Sequence, residues 1–196
     1  METTNAPQII DHLTKSTNYT PYDVKWIPDS SKFVVCGERP KATGLIEITQ
    51  LTKGELKVIS TIDNNRGVKS GTFAASPSSH TCFAFGDLEG KLSILDLEKE
   101  KVFWQVQAHT KVVNSVDGAG AEGHGYGPCE IVSGGRDGSV RVWDPRQKTP
   151  VISLDPTETD VLPDCWTVRY LSFHSALEMR IILNRELLLL DTTMGT

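Results

Sequence analysis

Apolar and polar residues alternate along this chain in short runs, and the runs recur in a fixed order. An alternating stretch comes first: YDVKWIP (Tyr22 to Pro28), then VKSGTFA from Val68, VVNSVDG from Val112 and CWTVRYL from Cys165. A more continuous apolar stretch follows each one: KFVVCG, TCFAFG, EIVSGG and MRIIL. After a tight turn comes LIEIT, KLSILDL, SVRVWD or ELLLLD. The first two units add a further alternating run, ELKVISTI and KVFWQVQ. Runs of about 4–8 residues with period-two alternation, bounded by Gly, Asp, Ser and Pro, predict antiparallel strands joined by turns. HSALEMRIIL can be scored as an amphipathic helix, but its place in the recurring order favours a strand.

The recurrence has a measurable period. GDLEGKLSILDL and GGRDGSVRVWDP superpose with Asp96 on Asp144 and Gly90 on Gly138, a spacing of 48 in each case. Gly44 lies 46 residues before Gly90, and Asp191 lies 47 after Asp144. A period in the forties, with four strands per unit and a closing Trp-Asp, is the pattern of a β-propeller blade. The predicted fold is therefore all-β.

At this point the chain resembles the WD-repeat β-propeller family. The resemblance implies one hydrogen-bonded network per blade, built from a His, a Ser or Thr, an Asp and a Trp. The third unit matches it residue by residue, with His109 before the unit, Ser133 on its second strand, Asp137 in the turn and Trp143 on the third strand. The chemistry is coherent: an imidazole can accept and donate, a carboxylate accepts only, and an indole N–H donates only. The other units depart from it. Phe85, Glu89 and Leu95 stand at the matching places of unit two, Gln50 replaces the closing Asp of unit one, and Asn184-Arg185 replaces the glycine turn of unit four.

The stretches NYTPYDVKWIPDSSKFV and DGAGAEGHGYGPCEIVSGGRDGSVRVWDPRQ resemble one branch of that family, the axonemal dynein assembly factors. The resemblance covers roughly residues 7–168 and fades beyond them. It implies a seven-bladed ring, whereas this chain has room for about four blades. The expected architecture is thus a partial propeller of four antiparallel four-stranded blades, an incomplete ring whose last blade is degenerate. Residues 1–20 are expected as an N-terminal segment that supplies the closing strand in a full ring. Residues 21–168 hold three blades and the start of a fourth, and 169–196 hold a divergent remnant. The chain reads as a truncated or alternatively spliced form. Ile9, Ile10 and Leu13 would lack a sheet to join, and both end blades would present an apolar face to water, open to self-association. Failing to bury a few hundred Å² of apolar surface forfeits several kcal/mol at about 25 cal/mol per Å², so a marginal or partner-dependent product is expected.

The resemblance further implies a non-catalytic scaffold for cytoplasmic preassembly of axonemal dynein. Its partners would be a cochaperone complex of RuvB-like ATPases and prefoldin-like subunits, and dynein heavy chains; a link to apoptosis is part of the same family picture. A second reading rests on Trp143, Asp144 and Arg146. The tetrapeptide WDPR resembles the box by which substrate receptors of cullin-type ubiquitin ligases reach their adaptor, with Arg146 as the contact.

Composition changes this picture little. Of 196 residues, 38% are hydrophobic and 23% charged, which suits a globular protein. The net charge of −5 argues against nucleic acid as a partner. No basic segment followed by an apolar core opens the chain, and no apolar run approaches the roughly 20 residues that span a bilayer, so a cytoplasmic location is expected. Cys36, Cys82, Cys129 and Cys165 are scattered without metal-ligand spacing and are expected as reduced thiols, with neither metal nor cofactor. His12, His80, His109, His124 and His174 form no catalytic constellation. His109 with Ser133 and Asp137 superficially suggests a nucleophilic triad, but the repeat context assigns them to the blade network. Asp87 and Glu89 are expected as solvated turn carboxylates. The glycine-rich stretch 118–127 lacks a phosphate-loop pattern and is expected as a surface excursion, with a binding contact as its functional reading.

Overall fold

A computed structural model describes residues 12–75, 81–120, 129–156, 164–173, 176–183 and 186–191, and from residue 171 onward it describes the backbone alone. The predicted alternation becomes four antiparallel sheets in chain order, with no helix among the described residues. Sheet one holds β1 (Thr20–Trp26), β2 (Lys32–Arg39), β3 (Thr43–Thr52) and β4 (Glu55–Asn64). Sheet two holds β5 (Val68–Thr72), β6 (Cys82–Asp87), β7 (Lys91–Asp96) and β8 (Lys101–Gln107). Sheet three holds β9 (Val113–Ala119), β10 (Glu130–Gly135), β11 (Val140–Trp143) and β12 (Pro150–Leu154). Sheet four has three strands among the described residues: β13 (Cys165–Phe173), β14 (Ala176–Leu183) and β15 (Glu186–Asp191). Each sheet is a meander, so β1, β5, β9 and β13 are the first strands of successive blades.

The turns follow from local chemistry. Gly90 and Gly138 adopt φ of +87° and +80° in the hairpins joining second and third strands. Side chains with a Cβ rarely adopt that region. The β2–β3 hairpin of sheet one instead turns on Lys41 and Ala42, both at positive φ.

The core lies between the sheets. Alternation gives each strand two faces, and three apolar layers result. Val34, Cys36, Ile46 and Ile48 of sheet one pack on Phe83, Phe85 and Leu95 of sheet two. Ala84, Leu92, Ile94 and Trp104 of sheet two pack on Val113, Val116, Ile131 and Trp143 of sheet three. Val132, Val140 and Val142 of sheet three pack on Cys165 and Val168 of sheet four. In sheet two, where the expected network is absent, the layers close on Phe85 and Leu95, both fully buried.

Sheet three has the four strands expected of a blade, although its fourth, β12, begins at Pro150 and has too short an apolar run to be picked out in the sequence. That strand forms because Val140, Arg141 and Val142 offer Leu154, Ser153 and Ile152 a pairing edge. Asp87 is not a solvated turn residue. It is 2% exposed, and its Oδ1 accepts the backbone N–H groups of Glu89 and Lys91, each at 2.9 Å. The free face of blade one is not bare, because residues before β1 lie on it. Lys15 Nζ stands 2.5 Å from Glu47 Oε1, Thr49 Oγ1 donates to that same oxygen at 3.0 Å, and Leu45, Glu47 and Thr49 are all buried. Ile9, Ile10 and most of the glycine-rich insert lie outside the described residues; Leu13 lies within them and in no strand.

Candidate functional site

Blade three carries the four side chains singled out above, and they stand in one hydrogen-bonded chain. Trp143 Nε1 donates to Ser133 Oγ at 2.9 Å, Ser133 Oγ lies 2.8 Å from His109 Nε2, and His109 Nδ1 lies 3.0 Å from Asp137 Oδ1. The end groups set the polarity at both ends of the chain. An indole N–H can only donate and a carboxylate can only accept, so in the neutral imidazole Nδ1–H faces Asp137 and Nε2 is left to accept from the Ser133 hydroxyl. Ser139, which sequence reasoning passed over, joins the site: its Oγ lies 2.9 Å from His109 Nδ1 and donates to Asp137 Oδ1 at 2.8 Å. Gly135 leaves room for the imidazole, because a Cβ there would sit 2.6 Å from His109 Cγ.

This geometry does not suit nucleophilic chemistry. Ser133 is fully buried, His109 is 1% exposed, and the serine oxygen already accepts the indole proton, so no substrate carbonyl reaches it. What the arrangement does is tie the loop before β9 to β10, to the following turn and to β11. Asp137 carries much of that tie. Burial by itself raises its carboxyl, but hydrogen bonds from His109, Ser139 and the Thr110 N–H outweigh burial and hold it well below its ordinary 3.8. A carboxyl depressed in the folded state stabilises the fold above its unfolded value, and that contribution is lost as pH falls through and below about 3.8. The melting temperature of the wild-type chain is therefore expected to fall more steeply between about pH 5 and pH 2 than that of Asp137→Asn. Parallel pH profiles would contradict the role given to this carboxylate.

Blade one holds a counterpart that no motif announced. Tyr19 lies over Gly37 as His109 lies over Gly135, with its Cδ2 2.9 Å from the place of a Cβ. Its phenol is buried beside the Glu47 carboxylate, and burial first and Glu47 second push it well above the usual range.

A second site spans all the blades. Each first strand carries a one-residue bulge, and the unpaired residues are Tyr22, Lys69, Asn114 and Trp166. A bulge re-aims a side chain out of the ladder, and all four line one open cavity of about 780 Å³ on the inner side of the arc. Lys69 Nζ donates to Asn114 Oδ1 at 2.7 Å, and Asn114 Nδ2 donates to the Cys165 carbonyl at 2.9 Å. The residue after each of the first three bulges reaches the next blade. Asp23 Oδ2 accepts from Gly71 N at 3.0 Å, Ser70 Oγ from Val116 N at 3.2 Å, and Ser115 Oγ from Val168 N at 3.2 Å. Tyr22 is 42% and Trp166 59% exposed, so this floor presents aromatic side chains at both ends of a polar centre.

The four successive meanders with inner strands side by side, joined in an unclosed arc, settle the architecture, and similarity to known proteins agrees. Residues 100–144 match the family model described as WD domain, G-beta repeat. The chain is a partial WD-repeat propeller. It is 42% identical over 172 residues to dynein axonemal assembly factor 10 of Homo sapiens, covering 87% of this chain and 48% of that protein. It is 40% identical over 173 residues to the protein of that name from Chlamydomonas reinhardtii, with the same two shares. The partial propeller thus spans about half the length of the curated relatives it matches. The crystal structure of the WD40 β-propeller domain of Doa1 superposes with a TM-score of 0.68 at 18% identity, over 91% of this chain and 53% of that one, which speaks for the fold alone.

The second sequence-derived contact set divides in the partial propeller. Trp143 is 2% exposed and engaged with Ser133. Asp144 and Arg146 lie outside and pair with one another, Nη2 to Oδ2 at 2.5 Å, which leaves Arg146 the exposed member. Among the described residues no group of three or more His, Cys, Asp or Glu could hold a metal ion, and no helix is long and apolar enough to cross a membrane.

Proposed function

We propose that this chain is a non-catalytic scaffold that acts in the cytoplasm in preassembly of axonemal dynein. The observation that carries the reading is its sequence similarity to dynein axonemal assembly factor 10 across most of its length. The inner floor supports it: rigid strands display Tyr22, Lys69, Asn114 and Trp166 without a nucleophile, acid and base set for chemistry. Its partners are protein surfaces: dynein heavy chains, and a cochaperone assembly of RuvB-like ATPases with prefoldin-like subunits. The blade-three network serves as the brace that keeps this floor in shape.

The test is affinity recovery of the tagged chain from cells building motile cilia. Dynein heavy chains and the RuvB-like ATPases are expected in the wild-type eluate, and Tyr22→Ser with Trp166→Ser is expected to reduce them. If neither protein is enriched over an untagged control while a full-length relative recovers both, the reading is lost. Recovery of a ubiquitin-ligase adaptor instead, abolished by Arg146→Ala, would favour the receptor reading.

A further inference from the structure

The fourth strands of blades one, two and three share a feature that neither the core nor the inner floor requires. Each carries its own one-residue bulge at the same place in the repeat. In blade one Ile48 pairs with Ser60 and Thr49 with Val58, which leaves Ile59 unpaired. In blade two Ile94 pairs with Trp104 and Leu95 with Val102, which leaves Phe103. In blade three Val142 pairs with Ile152 and Trp143 with Pro150, which leaves Val151. Bulges blunt exposed edges against strand addition, and a serine or lysine would serve that purpose. All three residues are instead apolar and open to water, at 45%, 58% and 41% exposure. Val58 and Val102, one residue earlier, are 40% and 36% exposed.

The bulges are held in place by their neighbours. Ser60, which follows Ile59, donates its hydroxyl to Glu100 of the next blade, and Trp104, which follows Phe103, donates its indole N–H to the Gln147 carbonyl of the next blade at 3.1 Å. Ile59 and Phe103 are thus each followed by a residue that bridges two blades, so at these two positions little order has to be gained on binding. Cations border the row. Lys57 and Lys101 precede the two valines and Lys148 precedes the third bulge; all three are exposed and stand in no ion pair among the described residues. Of the carboxylates near the row, Asp96 pairs with Lys99, Asp144 with Arg146, and Glu100 accepts from Ser60, while Glu55 and Glu98 remain exposed.

We propose that the outer rim of the arc is a docking surface for a protein segment with apolar side chains along one edge and carboxylates beside them. Charge complementarity selects the occupant: unpaired lysines flank the row on a chain of net charge −5, and that overall charge opposes an anionic bilayer. The rim adds a second, outward-facing contact to the scaffold reading, and it rests on that reading only for the identity of the partner.

The probe is a fluorescent amphipathic helical peptide with leucines on one face and glutamates on the other, compared with a version carrying lysines for glutamates. The full chain is expected to bind the acidic peptide. Its Kd is expected to rise at least about tenfold, the scale of a lost aromatic anchor, in Ile59→Ser/Phe103→Ser/Val151→Ser and in Lys57→Glu/Lys101→Glu. The substituted side chains are exposed, so melting temperatures are expected to hold, and Phe103→Ser alone serves as the milder variant. The proposal is overturned if the wild type binds neither peptide, if both peptides bind equally, if the triple variant binds as well as the wild type, or if the chain prefers phosphatidylserine vesicles. Dynein recovery that persists in the triple variant leaves the scaffold reading standing, while the peptide measurement decides the rim.

Discussion

Replacing Trp143 with alanine is expected to lower the stability of the chain by about 3–5 kcal/mol, the usual scale for emptying a buried aromatic site. Two effects combine at this residue. Its ring meets Trp104 edge-to-face, with centroids 6.3 Å apart and planes at 77°, inside the layer that joins blades two and three. Its N–H also closes the chain to Ser133. Domains of ordinary stability hold only about 5–15 kcal/mol in total, so the variant approaches unfolding. Trp143→Phe separates the two effects, because it keeps most of the packing and removes the donor. That change is expected to cost about 1 kcal/mol from the lost hydrogen bond, plus a smaller packing loss. Urea unfolding followed by circular dichroism measures both. An alanine variant as stable as the phenylalanine one would show that the blade interface does not depend on this ring.

Gly86→Val is the second large effect, and its cause is different. Gly86 has an ordinary backbone, but a Cβ there would stand 2.6 Å from Val113 Cβ and 3.0 Å from Val116 Cγ2 of the next blade. The nearest atom is Val113 Cγ1 at 2.4 Å, and because a β-branched side chain is stiff at χ1 and its Cβ is also too close, β9 itself must shift to relieve the overlap. Overpacking of this kind costs about 1–3 kcal/mol, or more where the backbone cannot yield. Gly86→Ala is expected to give the lower end of that range and Gly86→Val the upper. Hydrogen exchange should show β9 opening first in both variants. Gly134 does the same for the next junction, where a Cβ would meet Cys165 Sγ at 2.5 Å and Val168 Cγ1 at 2.9 Å. Unchanged exchange in β9 would mean that the blades are not held at this approach.

These glycines show where reading the sequence stops. Both were visible as residues after an apolar run, and nothing local distinguished a turn glycine from one that lets two sheets meet. The same holds for Asp87, which looked like a solvated partner of Glu89 and proved to be a buried acceptor for two backbone donors. Tyr19 and Glu47 share no motif with His109 and Ser133, yet Tyr19 takes the place of His109 beside its glycine. β12 was expected from the four-stranded repeat, but its residues could not be picked out because the apolar run is short and begins at proline, and its pairing edge comes from β11.

What the chain determines by itself is local and periodic. Alternation sets which side chains share a face, Gly90 and Gly138 permit the left-handed turns, and the spacing of His109, Ser133, Asp137 and Trp143 places a matched set of donors and acceptors in one blade. Tertiary structure alone decided the register. A bulge exists only between two paired strands, so the unpaired Tyr22, Lys69, Asn114 and Trp166 on the inner floor, and Ile59, Phe103 and Val151 on the rim, could not be told from their neighbours in the sequence. The physical reason is that pairing is a property of two strands at once, while a pattern of apolar residues describes only one.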